Sequence, residues 1–211
     1  MLRYVAEMAE GIMGKKIHVV LVATATLLSG CAFGTRTAHL TYPPEESDHS
    51  TIALAHAQEG QPDRGRIVVL SVTDDRTEKS RIGNVRNTFG MNTADVVTSD
   101  DVRGWVEAAM KSELERAGYV VMQEGAPQTE YAVGLQASLV KVYCDVYMTY
   151  DGEVSLMLNL QGGNRSPARK LVEGEGGVGL NWAATAKSYG ESLALALQNA
   201  ISKVLTELDA Y

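Results

Sequence analysis

From Arg66 to the end of the chain, the apolar positions follow two periods, and the switches between them mark out the elements. Ile67-Val68-Val69-Leu70-Ser71-Val72 is a nearly unbroken β-branched run, which predicts a central strand. Val102, Trp105, Val106, Ala109, Met110, Leu114 and Ala117 recur at helical spacing. Thr98-Ser99-Asp100-Asp101 supplies capping residues ahead of them, and Gly118 is the expected residue just past the helix end. Tyr119 to Met122 is a short strand, so strand, helix and strand predict a parallel pair joined by a crossover. Tyr131, Val133, Leu135, Ala137 and Leu139 alternate. Val140, Val142, Cys144, Val146 and Met148 then continue one residue out of step, which predicts a bulge near 138–140 or a break into two strands. Asp151-Gly152 reads as a hairpin turn before the alternating Val154, Leu156, Leu158 and Leu160. Gly162-Gly163-Asn164 and Pro167 turn the chain into a last strand over Arg169 to Val178, its end loosened by Gly174, Gly176 and Gly177. Tyr189, Leu193, Leu197, Ala200, Ile201, Val204 and Leu208 form the stripe of a closing helix over Ala183 to Leu208. Asp74 to Thr98 has no period and reads as a long polar loop, a place where function often sits. The fold class expected is α+β: a mixed four- to five-stranded sheet with two amphipathic helices packed on one face, in a domain over residues 66–211.

The N-terminal part is patterned differently. Lys15 and Lys16 precede an uncharged run, Ile17 to Leu28, whose roughly 18 Å as a helix is too short for a hydrocarbon core of about 30 Å. A basic flank, a short apolar core and small residues after it make a secretory signal over residues 1–30. Met13 is a cleaner start than Met1, because Glu7 and Glu10 are unusual ahead of such a core. Residues 31–65, with Pro43, Pro44, Pro62 and the cluster Glu45-Glu46-Ser47-Asp48, read as a flexible tether, with short apolar pieces at Leu40–Tyr42 and Thr51–Ala55 as docking segments.

Charge and residue inventory narrow the chemistry. The chain of 211 residues carries a net charge of −7, so no overall field favours nucleic acid. Two cysteines, Cys31 and Cys144, make neither a disulfide framework nor a cysteine-rich zinc site. All four histidines (His18, His39, His49, His56) precede the domain, so a serine or cysteine nucleophile there lacks its usual base. Cys144 alternates with Val142 and Val146 and reads as an inert core thiol. Asp74-Asp75 reads as a cap or as partners of Arg76, and no catalytic residue, metal or cofactor is expected. Two surfaces remain as candidates for partner binding. One is a basic cluster including Arg76, Lys79, Arg81 and Arg86, suited to anionic lipid, cell-wall carboxylates or an acidic partner. The other is the outward face of the middle strands, with Tyr143, Tyr147 and Met157.

Leu28-Ser29-Gly30-Cys31 resembles the bacterial lipobox, in which the cysteine thiol receives diacylglycerol and becomes the acylated N-terminus after cleavage. Ala32 in the next position implies, by the same resemblance, delivery to the outer membrane, facing the periplasm. With Thr73-Asp74-Asp75-Arg76, Arg81-Ile82-Gly83-Asn84, Ala117-Gly118-Tyr119 and the C-terminal amphipathic helix, the pattern resembles the YajG-like lipoprotein family. The order of elements is also similar to the N-terminal domain of TolB. The resemblance implies a lipid-anchored, non-enzymatic binding or scaffolding module in cell-envelope maintenance, with Cys31 as the lipidation site. An accessory lipoprotein of a lipid-transport ABC system, an activator of a cell-wall synthase, and a wall or lipid hydrolase are the alternatives.

Overall fold

A computed structural model of the chain describes residues 34–42, 66–123, 132–162, 165–180 and 185–211. The signal run, Cys31, His18, His49, His56, Thr51–Ala55, Tyr131 and the Gly163-Asn164 turn lie outside the described residues. The elements are β1 (Gly34–Thr37), β2 (Ile67–Asp74), β3 (Arg81–Arg86), β4 (Asn92–Val97), α1 (Val102–Arg116), β5 (Val120–Gln123), β6 (Val133–Val146), β7 (Thr149–Gln161), β8 (Ala168–Leu180) and α2 (Ala186–Ala210). They form one mixed eight-stranded sheet with the two helices on one face, so the expected class holds with a larger sheet.

The sheet is organised by β6. Strand β7 pairs with it antiparallel along nearly its whole length. On its other edge β2 lies parallel to the first half, from Val68↔Val133 to Asp74↔Leu139, and β3 lies parallel to the last residues, Gly83↔Cys144 to Val85↔Val146. β2 and β3 thus occupy one sheet position in two pieces. The expected bulge falls between Leu139 and Lys141, where β2 hands over to β3. It turns Val140 out to solvent and returns Val142, Cys144 and Val146 to the core. β2 and β5 are parallel, as the crossover through α1 predicts.

Four expectations need correction. Most of the polar stretch 74–98 is not a loop: residues 81–97 form the antiparallel hairpin β3–β4, and only 75–80 connect β2 to it. The turn between β6 and β7 is at Tyr147-Met148, not at Asp151-Gly152, which lie inside β7. Met148 is consequently exposed rather than inward. Residues 35–42, part of the expected tether, are packed onto the domain. Within the supposed tether Ala38 is fully buried, and the Tyr42 hydroxyl donates to Glu113 Oε1 at 2.7 Å. Ala38, the residue after β1, donates its N–H to the carbonyl of Val97, the last residue of β4. Since β1 neighbours β4, it must run parallel to it, with its first residues beside the start of β4.

The glycines of β7 and β8 have a packing reason. A Cβ on Gly174 would lie 2.0 Å from the carbonyl oxygen of Ala196, and one on Gly176 would lie 2.3 Å from that of Ser192. On Gly152 it would lie 2.5 Å from the Ser192 carbonyl oxygen. Helix α2 therefore rests directly on sheet backbone along Ser192, Ala196 and Ala200. The Ser192 hydroxyl sits 3.0 Å from the Tyr150 carbonyl and 2.9 Å from that of Gly176, sharing its single proton between them. These glycines do not loosen the strand; they admit the helix.

Candidate functional site on the open sheet face

Pleating puts Val142, Cys144 and Val146 under the helices, so Lys141, Tyr143 and Asp145 rise on the opposite face, which no described helix covers. β3 and β7 bring charged neighbours to them. Lys141 Nζ bonds Glu153 Oε2 at 2.6 Å and lies 5.9 Å from the centre of the Tyr143 ring. Arg86 holds Asp145 through both carboxylate oxygens and stacks over Tyr147 at 5.6 Å. Arg81 bridges to Asp95 at 2.9 Å and to Glu78 at 3.3 Å. Burial, followed by the opposed charges of Arg81 and Asp145, leaves the Tyr143 phenol above its ordinary range, so it remains a neutral donor. Beside it lies an open depression of about 500 Å³, walled by Asp145, Asp151, Glu153 and Glu175 and given room by Gly177.

Of the residues singled out from sequence, Tyr143, Tyr147, Arg81 and Arg86 share this strip. Arg76 and Lys79 do not: they lie in the connection between β2 and β3. Arg76 is not a solvated loop cation. Its side chain is 5% exposed; Nε and Nη2 bind the two oxygens of Asp74 at 3.0 and 2.8 Å, and Nη2 also donates to the Lys79 carbonyl at 2.9 Å. Burial alone would raise the Asp74 carboxyl, but hydrogen bonds and charge from Arg76, with Lys79 adding to them, hold it below the usual carboxylate range. Arg76, Lys79, Arg81 and Arg86 of the basic cluster each contact a carboxylate, so none of the four presents an unpaired charge. Lys141, Asp145 and Glu153 were missed from sequence. The polar half of the β6 and β7 alternation contains them, but their adjacency depends on register.

The chemistry of the strip is recognition by paired charges and aromatic rings. Among the described residues no group of three His, Cys, Asp or Glu side chains is placed to hold a metal ion. His39 is exposed, 3.6 Å from Asp100 Oδ2. Cys144 is fully buried, with its Sγ 3.8 Å from the Ser192 hydroxyl, and burial pushes its thiol up to about 12. In the native protein at pH 8, Cys144 should therefore alkylate with iodoacetamide at least about tenfold more slowly than in the denatured chain. Peptide mapping reads this, and equal rates would refute the inward orientation.

The fold and this strip define an α+β protein with a helix-covered and an open sheet face. The chain matches no protein family by sequence profile, and no curated protein is similar to it in sequence. The fold has a counterpart among solved structures. A Xanthomonas campestris protein assigned to the DUF330 family is 11% identical, with a TM-score of 0.52 over 83% of this chain and 98% of that one. An uncharacterized protein is more distant, 8% identical with a TM-score of 0.47 over 84% and 99%. Among the described residues no helix is long and apolar enough to cross a membrane.

Proposed function

We propose that this chain is a YajG-like lipoprotein, anchored through Cys31 to the periplasmic side of the outer membrane. In this reading it acts as a non-enzymatic binding module of the cell envelope. The lipobox resemblance of Leu28-Ser29-Gly30-Cys31 supports the anchor. The observation that carries the binding function is the open face itself. Tyr143 on β6 and Tyr147 in the turn that follows it stand partly exposed beside Lys141 and Arg86. A tyrosine so placed contributes apolar area and a hydrogen bond at small entropic cost, which suits a protein partner. The carboxylates beside Tyr143 favour a partner surface carrying lysine or arginine.

Replacing Tyr143 and Tyr147 together by serine should abolish crosslinking of an envelope partner in intact cells while the melting temperature moves little. Undiminished crosslinking would remove the open face as the site. Mass spectrometry of the N-terminus should find diacylglycerol on Cys31; an unmodified chain that washes freely from spheroplasts would end the anchoring reading.

A further inference from the structure

Among the described residues the three most exposed large apolar side chains gather at one end of the sheet beside Tyr147, whereas Leu171, Val120 and Val140 are scattered singly. Phe89 is 83% exposed, Met148 64%, Met91 58% and Tyr147 40%. Phe89 and Met91 sit on the β3–β4 hairpin tip, and Tyr147 and Met148 form the β6–β7 turn. The two tips lie together because β3 and β6 are parallel neighbours up to Val85↔Val146 and both chains turn just beyond. The Tyr147 hydroxyl fastens them, donating to the Thr88 carbonyl at 3.0 Å.

The first tip is built rather than loose. Asn87 Oδ1 accepts the N–H of Phe89 and of Met91, both at 3.0 Å, and Asn87 and Met91 bond across the turn. Gly90 takes the left-handed conformation, φ +78°, that closes it. An ordered turn that directs Phe89 into water gains nothing from it in the free protein. In a chain with 21% charged residues, neither 87–94 nor 146–150 contains a single charge. Burying these tips in an apolar medium therefore desolvates no ion. Just behind the tips Arg86 is paired with Asp145, so no uncompensated charge stands at their base.

We propose that this end of the sheet is a membrane-docking surface, with Phe89, Met91 and Met148 entering the interfacial layer of a lipid bilayer and Tyr147 fastening the two tips behind them. Aromatic and flexible apolar side chains on a hydrogen-bonded turn, with no uncompensated charge behind them, match that layer. The course of the chain names the occupant. β1 runs parallel to β4, so the polypeptide enters the domain at the start of β4, directly after the Phe89 tip. Cys31 precedes Thr35 by four residues, a reach of no more than about 14 Å. This last argument rests on the anchoring reading above: a lipid on Cys31 holds this end of the domain within reach of the bilayer.

The test uses the full chain carrying Phe89→Trp, purified from membranes and added to phosphatidylethanolamine–phosphatidylglycerol vesicles with or without bromine on the acyl chains. Emission from Trp105 and Trp182 is subtracted using the parent protein. The introduced indole should shift to the blue and lose about half its emission to brominated lipid, as expected at interfacial depth. It should also become insensitive to aqueous iodide. Indole emission from the tip that ignores bromine and stays open to iodide overturns the proposal; if mass spectrometry then finds Cys31 acylated, the anchor stands and only the docking surface falls. Bromine quenching in a chain unmodified at Cys31 keeps the docking surface and removes the anchor. Protection from iodide that needs native membranes and fails with protein-free vesicles assigns the tips to a protein partner and overturns the proposal.

Discussion

Alanine at position 174 should pry the second helix off the sheet. One methyl group there points at the Ala196 carbonyl oxygen 2.0 Å away and at the Ala200 amide nitrogen 2.3 Å away. Both are helix backbone, which cannot swing aside as a side-chain end would. Helix α2 must translate as a unit, opening the contacts of Leu193, Leu197, Ile201 and Val204, all essentially fully buried. Overpacking ordinarily costs 1–3 kcal/mol, and a rigid neighbour puts Gly174→Ala at about 3 kcal/mol or beyond. The control lies three residues along the same strand. A Cβ on Gly177 meets nothing within 4 Å, so Gly177→Ala should stay within about 0.5 kcal/mol of the parent. Urea unfolding of the two variants measures the difference, and equal midpoints would refute direct helix-on-backbone packing.

Leucine at position 76 should have the second-largest effect, through charge. Asp74, with a side chain 15% exposed, keeps only Lys79 as a cationic partner once the Arg76 guanidinium is gone. Breaking a buried pair from one side costs 3–5 kcal/mol; the partial exposure of Asp74 lowers the expectation to about 3 kcal/mol. The pH dependence identifies the cause. Asp74 titrates below its unfolded value of about 3.9, so its stabilisation is complete above that pH and is lost as the pH falls through the lower folded value. Arg76→Leu should therefore lie furthest below the parent at pH 7 and approach it in strong acid. A gap that does not change with pH would mean that Arg76 acts by packing alone. Arg76 Nη1 is buried without a hydrogen-bond partner among the described residues, a cost that leucine removes and that tempers the loss.

Local period alone determined much of this protein. Both helices, their apolar stripes, the Asp101 cap, which accepts the Gly104 N–H, and Gly118 at φ +85° are where the spacing places them. So is the bulge at Val140, because inserting one residue leaves a visible slip of phase. The outward direction of Tyr143 follows from the same alternation.

Tertiary structure decided what depends on a neighbour distant in sequence. The β3–β4 hairpin is invisible to periodicity because its inward residues, Ile82, Ala94 and Val96, are few and are interrupted by the buried polar Asn84, while Arg81 and Asp95 are held by a partner across the hairpin. Gly152 has the residue type of a turn, and only the approach of Ser192 shows that it is needed inside a strand. The turn therefore falls on Tyr147-Met148, which carries no turn signature. Arg76 has the composition of a surface cation, and only the fold encloses it with Asp74. The convergence of Phe89 with Met148 requires the parallel register of β3 on β6. Side-chain periodicity records which face of its own element a residue occupies. It carries no information about which element lies opposite, because that is set by the packing of whole faces.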